Sequence, residues 1–151
     1  MSVGPDDPGR PDVLRLLERH LDLMHTLSPP EDVHALDVAG LLVPEATFVS
    51  CRDDGTLVGV GALLHLDDRA AELKSMHVDA AARGRGGGRS LLTYLLELAR
   101  ARGYLHVSLE TGTQPAFAAA RALYTGAGFV ACGPFGSYAA SPGSTFLTIS
   151  L

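Results

Sequence analysis

Apolar positions recur at helical spacing in three stretches and at strand spacing in several others. Asp12 can cap a helix that runs to about Ser28, and Val13, Leu17, Leu21 and Met24 fall on one face of it. Ser28-Pro29-Pro30 ends it, and a second helix is predicted from Glu31 to about Gly40. Thr47 to Arg52 reads as a strand, and Asp53-Asp54-Gly55 is a hairpin signal leading into Thr56 to Leu66. Gly59 and Gly61 within that second strand point to a bulge or a close backbone approach. Ala71 to Val78 is a third strand. A helix then runs from about Gly87 to Arg102, with Leu91, Leu92, Leu95, Leu96 and Leu98 as its apolar stripe and Gly103 as its terminator. Leu105 to Glu110 is a strand carrying His106, Ser108 and Glu110 on one face. Pro115 opens a helix that stops at Gly126 or Gly128. Phe129 to Ala131 and Thr145 to Leu151 close the sheet, separated by a Pro- and Gly-containing loop from Pro134 to Gly143. Helices, a meander, crossovers and a final strand pair predict an α/β (α+β) domain.

Composition narrows the class. The 151 residues suit one domain with a sizeable core. Met1 to Arg10 is rich in Pro, Gly and Asp, so residues 1–11 are expected to be a mobile segment and 12–151 the domain. A formal net charge of −5 argues against a nucleic-acid binder that works by general electrostatics. No apolar run is long enough to span a membrane, and no signal-peptide order is visible at the start. Cys51 and Cys132 stand in no metal or redox spacing. Free thiols, no metal and a cytoplasmic location are the expectation.

Positive charge gathers in one place, between the third strand and the following helix, in ELKSMHVDAAARGRGGGRSLL from Glu72 to Leu92. Gly84, Gly86, Gly87 and Gly88 let backbone approach a ligand closely. The free amides at the helix start, its dipole, Arg83, Arg85 and Arg89 together suit a phosphorylated ligand. A P-loop would end in Gly-Lys-Ser/Thr, whereas this run ends Gly88-Arg89-Ser90. A dinucleotide fingerprint would need a third glycine where Arg89 stands. An RNA-binding Arg/Gly tail would be repeated, and this run occurs once between a strand and a helix.

Arg83-x-x-Gly86-x-Gly88 resembles the Q/R-x-x-G-x-G/A pyrophosphate loop of the GNAT superfamily of acyl-CoA N-acyltransferases. A second block follows in the right order: Ser108-Leu109-Glu110-Thr111, then Ala119 to Tyr124, then Gly128-Phe129, similar to the family's A-x-x-L-Y-x-x-x-G-F signature. The resemblance covers about residues 30–151, and the SPPEDVHALD and SLETG stretches look most like a poorly characterised bacterial branch.

The resemblance implies a single-domain, mostly antiparallel mixed sheet flanked by helices, with a cleft where the strand ending at Val78 splays from the strand ending at Glu110. It implies acetyl-CoA as co-substrate, with pantetheine along Met76, His77 and Val78 and pyrophosphate on the backbone from Arg83 to Ser90. The acceptor would be the amine of a small molecule, or less favourably of a peptide or protein, and a homodimer is compatible with the family. Tyr124 matches the family's acid for the departing thiolate. Glu72 stands eleven residues before Arg83, a spacing that matches a glutamate base. Glu110 and His77 are rival bases or recognition groups, and a water chain is a further option. His25 and His34 flank the first inter-helix turn and are candidates for the acceptor pocket. Two departures stand out. Phe117 occupies a position where many members carry an Asn on the cofactor, and the first strand of the family is expected to be missing or a stub. Two rival readings remain: a non-catalytic acyl-CoA-binding module and a nucleotide-binding regulatory domain.

Overall fold

The computed structural model describes residues 1–34 and 36–151. Seven strands form one sheet in the order β1-β2-β3-β4-β5-β7-β6. They are β1 (Ser2–Pro5), β2 (Ala46–Asp53), β3 (Thr56–His65), β4 (Ala70–Val78), β5 (His106–Gly112), β6 (Val130–Ala131) and β7 (Ser144–Ser150). The β4–β5 pair is parallel and the other pairs are antiparallel, so the mixed, mostly antiparallel sheet is as expected. The helices are α1 (Pro11–Leu27), α2 (Val38–Leu41), α3 (Gly87–Ala101) and α4 (Ala118–Gly126).

The β2–β3 hairpin turns at Asp54 and Gly55, both with positive φ (52° and 82°), which matches the right-handed twist of its strands. One side of the sheet packs against α3, where Leu91, Leu92, Leu95 and Leu96 meet Leu63, Leu73, Val107 and Leu109. On the other side Val13, Leu16 and Leu17 of α1 cover Phe48, Val60 and Ala62. The apolar cover stops at β3. Register puts His77, Lys74 and Glu72 opposite Val60, Ala62 and Leu64, and Ser108 beside Glu72. The α1 side of β4 and β5 is therefore polar.

Three expectations need correction. Met1 to Arg10, read as mobile with at most a stub of strand, holds β1, with Val3 opposite Cys51. An edge strand pairs on one side only, so it accepts Gly4 and Pro5. Its end is pinned where Arg52 reaches Asp6 at 3.0 Å and Asp12 at 2.7 Å, and Ser50 donates to Asp6. Asp12 was expected to cap the first helix. Instead Pro11 is the first helical residue, Arg10 precedes it without a side-chain cap, and the Asp12 carboxylate serves Arg52. The predicted helix from Glu31 to Gly40 is replaced by a 3₁₀ turn, Pro30–Asp32, and the single turn of α2, with residue 35 outside the described residues. Asp37 explains the late start, because its side chain accepts from the Gly40 amide at 2.9 Å and so begins a turn at Val38.

Gly59 and Gly61 are places of close approach. A Cβ on Gly61 would lie 2.7 Å from the Met76 sulfur, and one on Gly59 would lie 2.8 Å from the His77 carbonyl oxygen. The extra residue of the bulge belongs to β4. Between the pairs Val60–His77 and Ala62–Lys74, Ser75 and Met76 oppose the single Gly61, and Ser75 adopts φ +57°.

Candidate active site

The parallel pairing of β4 with β5 runs from Ala70–His106 to Glu72–Ser108 and ends there. Beyond it β4 continues to Val78 and β5 to Gly112, so the facing backbone groups need other partners. The bulge at Ser75 turns β4 away at this point. The resulting cleft opens into a cavity of about 430 Å³. Gln114 fastens its far wall by donating to the Leu27 carbonyl (3.0 Å) and the Ser28 hydroxyl (3.1 Å) at the end of α1.

At one end of the cavity lies the Arg/Gly loop. A 3₁₀ turn over Ala80–Ala82, started by the Asp79 side chain on the Ala81 amide, carries the chain to Arg83. Gly84 and Gly86 then take left-handed conformations (φ +81° and +84°) that an L side chain resists. α3 begins at Gly87 with no side-chain cap, leaving its first amides available. Gly87 has no room for a side chain, since a Cβ would meet Val58 Cγ1 at 2.5 Å. Arg83, Gly84, Gly86, Gly87 and Gly88 line the cavity together with Met76, His77, Val78 and Phe117. The side chains of Arg85, Arg89 and Ser90 do not join them. Arg85 lies 3.9 Å from Asp53 of the hairpin, Arg89 is exposed, and the Ser90 hydroxyl faces the Met1 sulfur. Phe117 packs so tightly over Gly112 that a Cβ there would lie 2.4 Å from the ring.

Tyr124 closes the inner wall beside the loop. It is 6% exposed, its ring packs against Phe129, and burial pushes its phenol above the usual range. It therefore stays protonated at neutral pH.

The opposite end is polar. Glu72 is buried and already engaged: Tyr138 donates to its Oε2 at 2.5 Å and Lys74 Nζ lies 3.4 Å from the same oxygen. Lys74 also donates to the Tyr138 hydroxyl at 2.5 Å. Glu110, across the splay on β5, has its carboxyl raised by burial, an effect that Ser144, His34 and Lys74 only partly offset. His34 packs edge-on against Tyr138. His77 is held below the ordinary imidazole range, by burial first and then by Arg83. His25 is exposed on the last turn of α1 and lies outside the cavity lining, so its expected place in the acceptor pocket is not where the fold puts it.

Four groups here were not singled out from the sequence: His20, Asp32, Lys74 and Tyr138. His20 sits on the buried face of α1 with its ring 4.8 Å from that of His77; burial and His77 push it down to about 4, and its Nδ1 has no partner. The helical period of Val13, Leu16, Leu17 and His20 is the signal that was available for it. Tyr138 and Asp32 come from irregular segments with no such period. Among the described residues there is no cluster of metal-ligating side chains, and no helix is long and apolar enough to cross a membrane.

A sequence model of the acetyltransferase (GNAT) family matches residues 13–129. The uncharacterized N-acetyltransferase YsnE of Bacillus subtilis is 41% identical over 151 residues, covering all of both chains. The crystal structure of an acyl-CoA N-acyltransferase from Klebsiella pneumoniae superposes with a TM-score of 0.81 at 27% identity, covering 99% of this chain and 97% of that one. A GNAT acetyltransferase of Elizabethkingia anophelis with acetyl-CoA bound shares the fold, with a TM-score of 0.68 at 17% identity and coverage of 99% and 97%.

Proposed function

Because the chain belongs to the acetyltransferase (GNAT) family of acyl-transferring enzymes, we propose that it moves an acetyl group from acetyl-CoA to the primary amine of a small molecule. One observation carries this reading. A single cavity connects the uncapped start of α3 at one end with Glu110 at the other, and Tyr124 stands in its inner wall.

The pyrophosphate would rest on the amides of Gly87 and Gly88, with Arg83 beside it. Pantetheine would extend along the unpaired edge of β4 from Val78 toward Met76. Its thioester then lies near the splay, where a β4 amide polarises the carbonyl and holds the negative charge of the tetrahedral intermediate.

We assign the base to Glu110 rather than Glu72. A raised carboxyl takes a proton near neutral pH more readily than an ordinary one, and Glu72 is already bound to Tyr138 and Lys74. Glu110 removes a proton from the acceptor ammonium, and the neutral nitrogen attacks the carbonyl carbon. The C–S bond breaks as the carbonyl re-forms. Tyr124 gives its proton to the departing thiolate, whose basicity is raised by the same dry surroundings, and the second proton that the attached nitrogen sheds as the amide forms restores the Tyr124 phenol. The products are an N-acetyl amide and CoA with its free thiol.

Calorimetry with acetyl-CoA, CoA, ATP and NAD, followed by amine-dependent release of CoA thiol, tests the reading. Binding of the CoA compounds alone, with thiol release that needs an amine, is the expected result. Binding without turnover on any amine would point to an acyl-CoA-binding module, and preference for ATP or NAD would remove the pyrophosphate loop from the argument.

A further inference from the structure

We propose that the acceptor is a small dication, an amine with a second positively charged nitrogen that Asp32 holds while the first reacts. This rests on the acetyl-transfer reading above and names its acceptor class.

The charge at the acceptor end is unbalanced. Asp32, Glu72 and Glu110 all line it. Lys74 is the one ammonium or guanidinium there among the described lining residues, and it is engaged with Glu72 and Tyr138. Glu72 and Lys74 thus cancel. Neither Asp32 nor Glu110 forms an ion pair among the described residues. The two carboxylates also share one space, since the charge of Asp32 adds to the upward push on Glu110. Burial keeps His20 and His77 neutral at pH 7, and His34, which lines the same end and eases the ionisation of Glu110, forms no ion pair with either carboxylate among the described residues.

Asp32 is positioned for a ligand. It stands on the 3₁₀ turn after α1, and the Ser141 hydroxyl donates to its Oδ1 at 2.5 Å. Gly143 leaves the space it fills: a Cβ there would lie 2.4 Å from Asp32 Oδ2. The carboxylate is therefore braced from the β6–β7 loop side. Leu23, Met24 and Leu27 of α1 form an apolar wall of the same cavity, suited to methylene carbons between two nitrogens.

The reaction separates the two charges. The nitrogen that attacks must give up a proton to Glu110, so it cannot remain a counter-ion. Asp32 then requires a different, permanently charged nitrogen. An acceptor with a carboxylate in that position would face the like charge of Asp32, which no described residue pairs.

The test uses the full chain with acetyl-CoA and three matched acceptor sets: straight-chain diamines, monoamines and ω-amino acids of equal length. The expected kcat/KM for diamines exceeds that for monoamines by roughly tenfold or more, the scale of one charge-assisted hydrogen bond, and ω-amino acids are poorer still. Asp32→Asn should collapse the diamine preference through KM. Asn keeps the carbonyl oxygen that accepts from Ser141, so the brace survives, and melting temperature checks the fold. Monoamines or amino acids matching diamines in the wild type would overturn the inference and leave acetyl transfer standing, as would an unchanged preference in the variant. Turnover of no amine while acetyl-CoA binds would overturn the acetyl-transfer reading and this one with it.

Discussion

The hydroxyl of Tyr138 donates to Oε2 of Glu72 at 2.5 Å, joining residues 66 positions apart in the chain. It fastens the loop between β6 and β7 to the strand that carries the active cleft. Lys74 completes the cluster from the same strand, and burial, Glu72 and Glu110 keep the phenol protonated. Tyr138→Phe removes the link and leaves Lys74 and Glu72 short of a partner. We expect a loss of about 1–3 kcal/mol in unfolding free energy. The acceptor KM should rise with acetyl-CoA affinity kept, because the loop borders only the acceptor end. Urea unfolding and calorimetry on the variant check both.

Glu110→Gln and Glu72→Gln separate the two candidate bases. Burial raises the Glu110 carboxyl, so the folded state holds that proton more tightly than the unfolded chain does. Ionising it costs stability as pH climbs from the unfolded value through the folded one. Glu110→Gln has no such cost and should be at least as stable as wild type at neutral pH. Its kcat/KM should nevertheless fall roughly 10²–10⁴-fold. Glu72→Gln should show the reverse pattern, a clear loss of stability with a smaller loss of rate. Equal rate losses, or a larger one for Glu72→Gln, would return the base to Glu72.

Tyr124→Phe keeps the ring against Phe129 and removes only the proton donor. The fold and acetyl-CoA affinity should be retained, and kcat should fall roughly 10²–10⁴-fold. Thioesters with more acidic thiol leaving groups should recover part of the loss, since they need less help on departure. A rate equal to wild type would make Tyr124 a packing residue.

His20 makes stability depend on acid. Its folded value is pushed down to about 4, below the ordinary imidazole, so between these values the unfolded chain takes a proton that the folded chain refuses. Stability is whole above about pH 6.5 and is lost as pH falls toward 4. This group should remove about 2 kcal/mol between pH 7 and pH 5. His77 is shifted in the same direction and adds to the trend. His20→Leu should flatten that acid limb in urea unfolding measured at both pH values.

Much of this was legible in the chain. The α3 stripe, the Asp54-Gly55 turn and the Arg83 to Gly88 run each depend on neighbours within a few residues, so local pattern carries them. The paired motifs around Arg83 and Tyr124 likewise pointed to a splay between β4 and β5, which the pairing ending at Glu72–Ser108 bears out. β1 was missed because Gly4 and Pro5 are poor strand formers, and what holds the segment is Arg52, more than forty residues on.

Local periodicity, turn chemistry and two short motifs were enough to determine the fold class, the family and the place of the Arg/Gly loop at the start of α3. Those features rest on backbone conformation, which adjacent residues dictate. Only the tertiary structure decided which charges are spent. Glu72 reads as a free carboxylate in the chain, and it is bound by a tyrosine brought from the β6–β7 loop. Asp32 reads as a polar residue of a predicted helix, and it shares a cavity with Glu110 where neither carboxylate is ion-paired among the described residues. Burial and ion pairing arise from segments distant in sequence, and they set the protonation and partnership of a carboxylate.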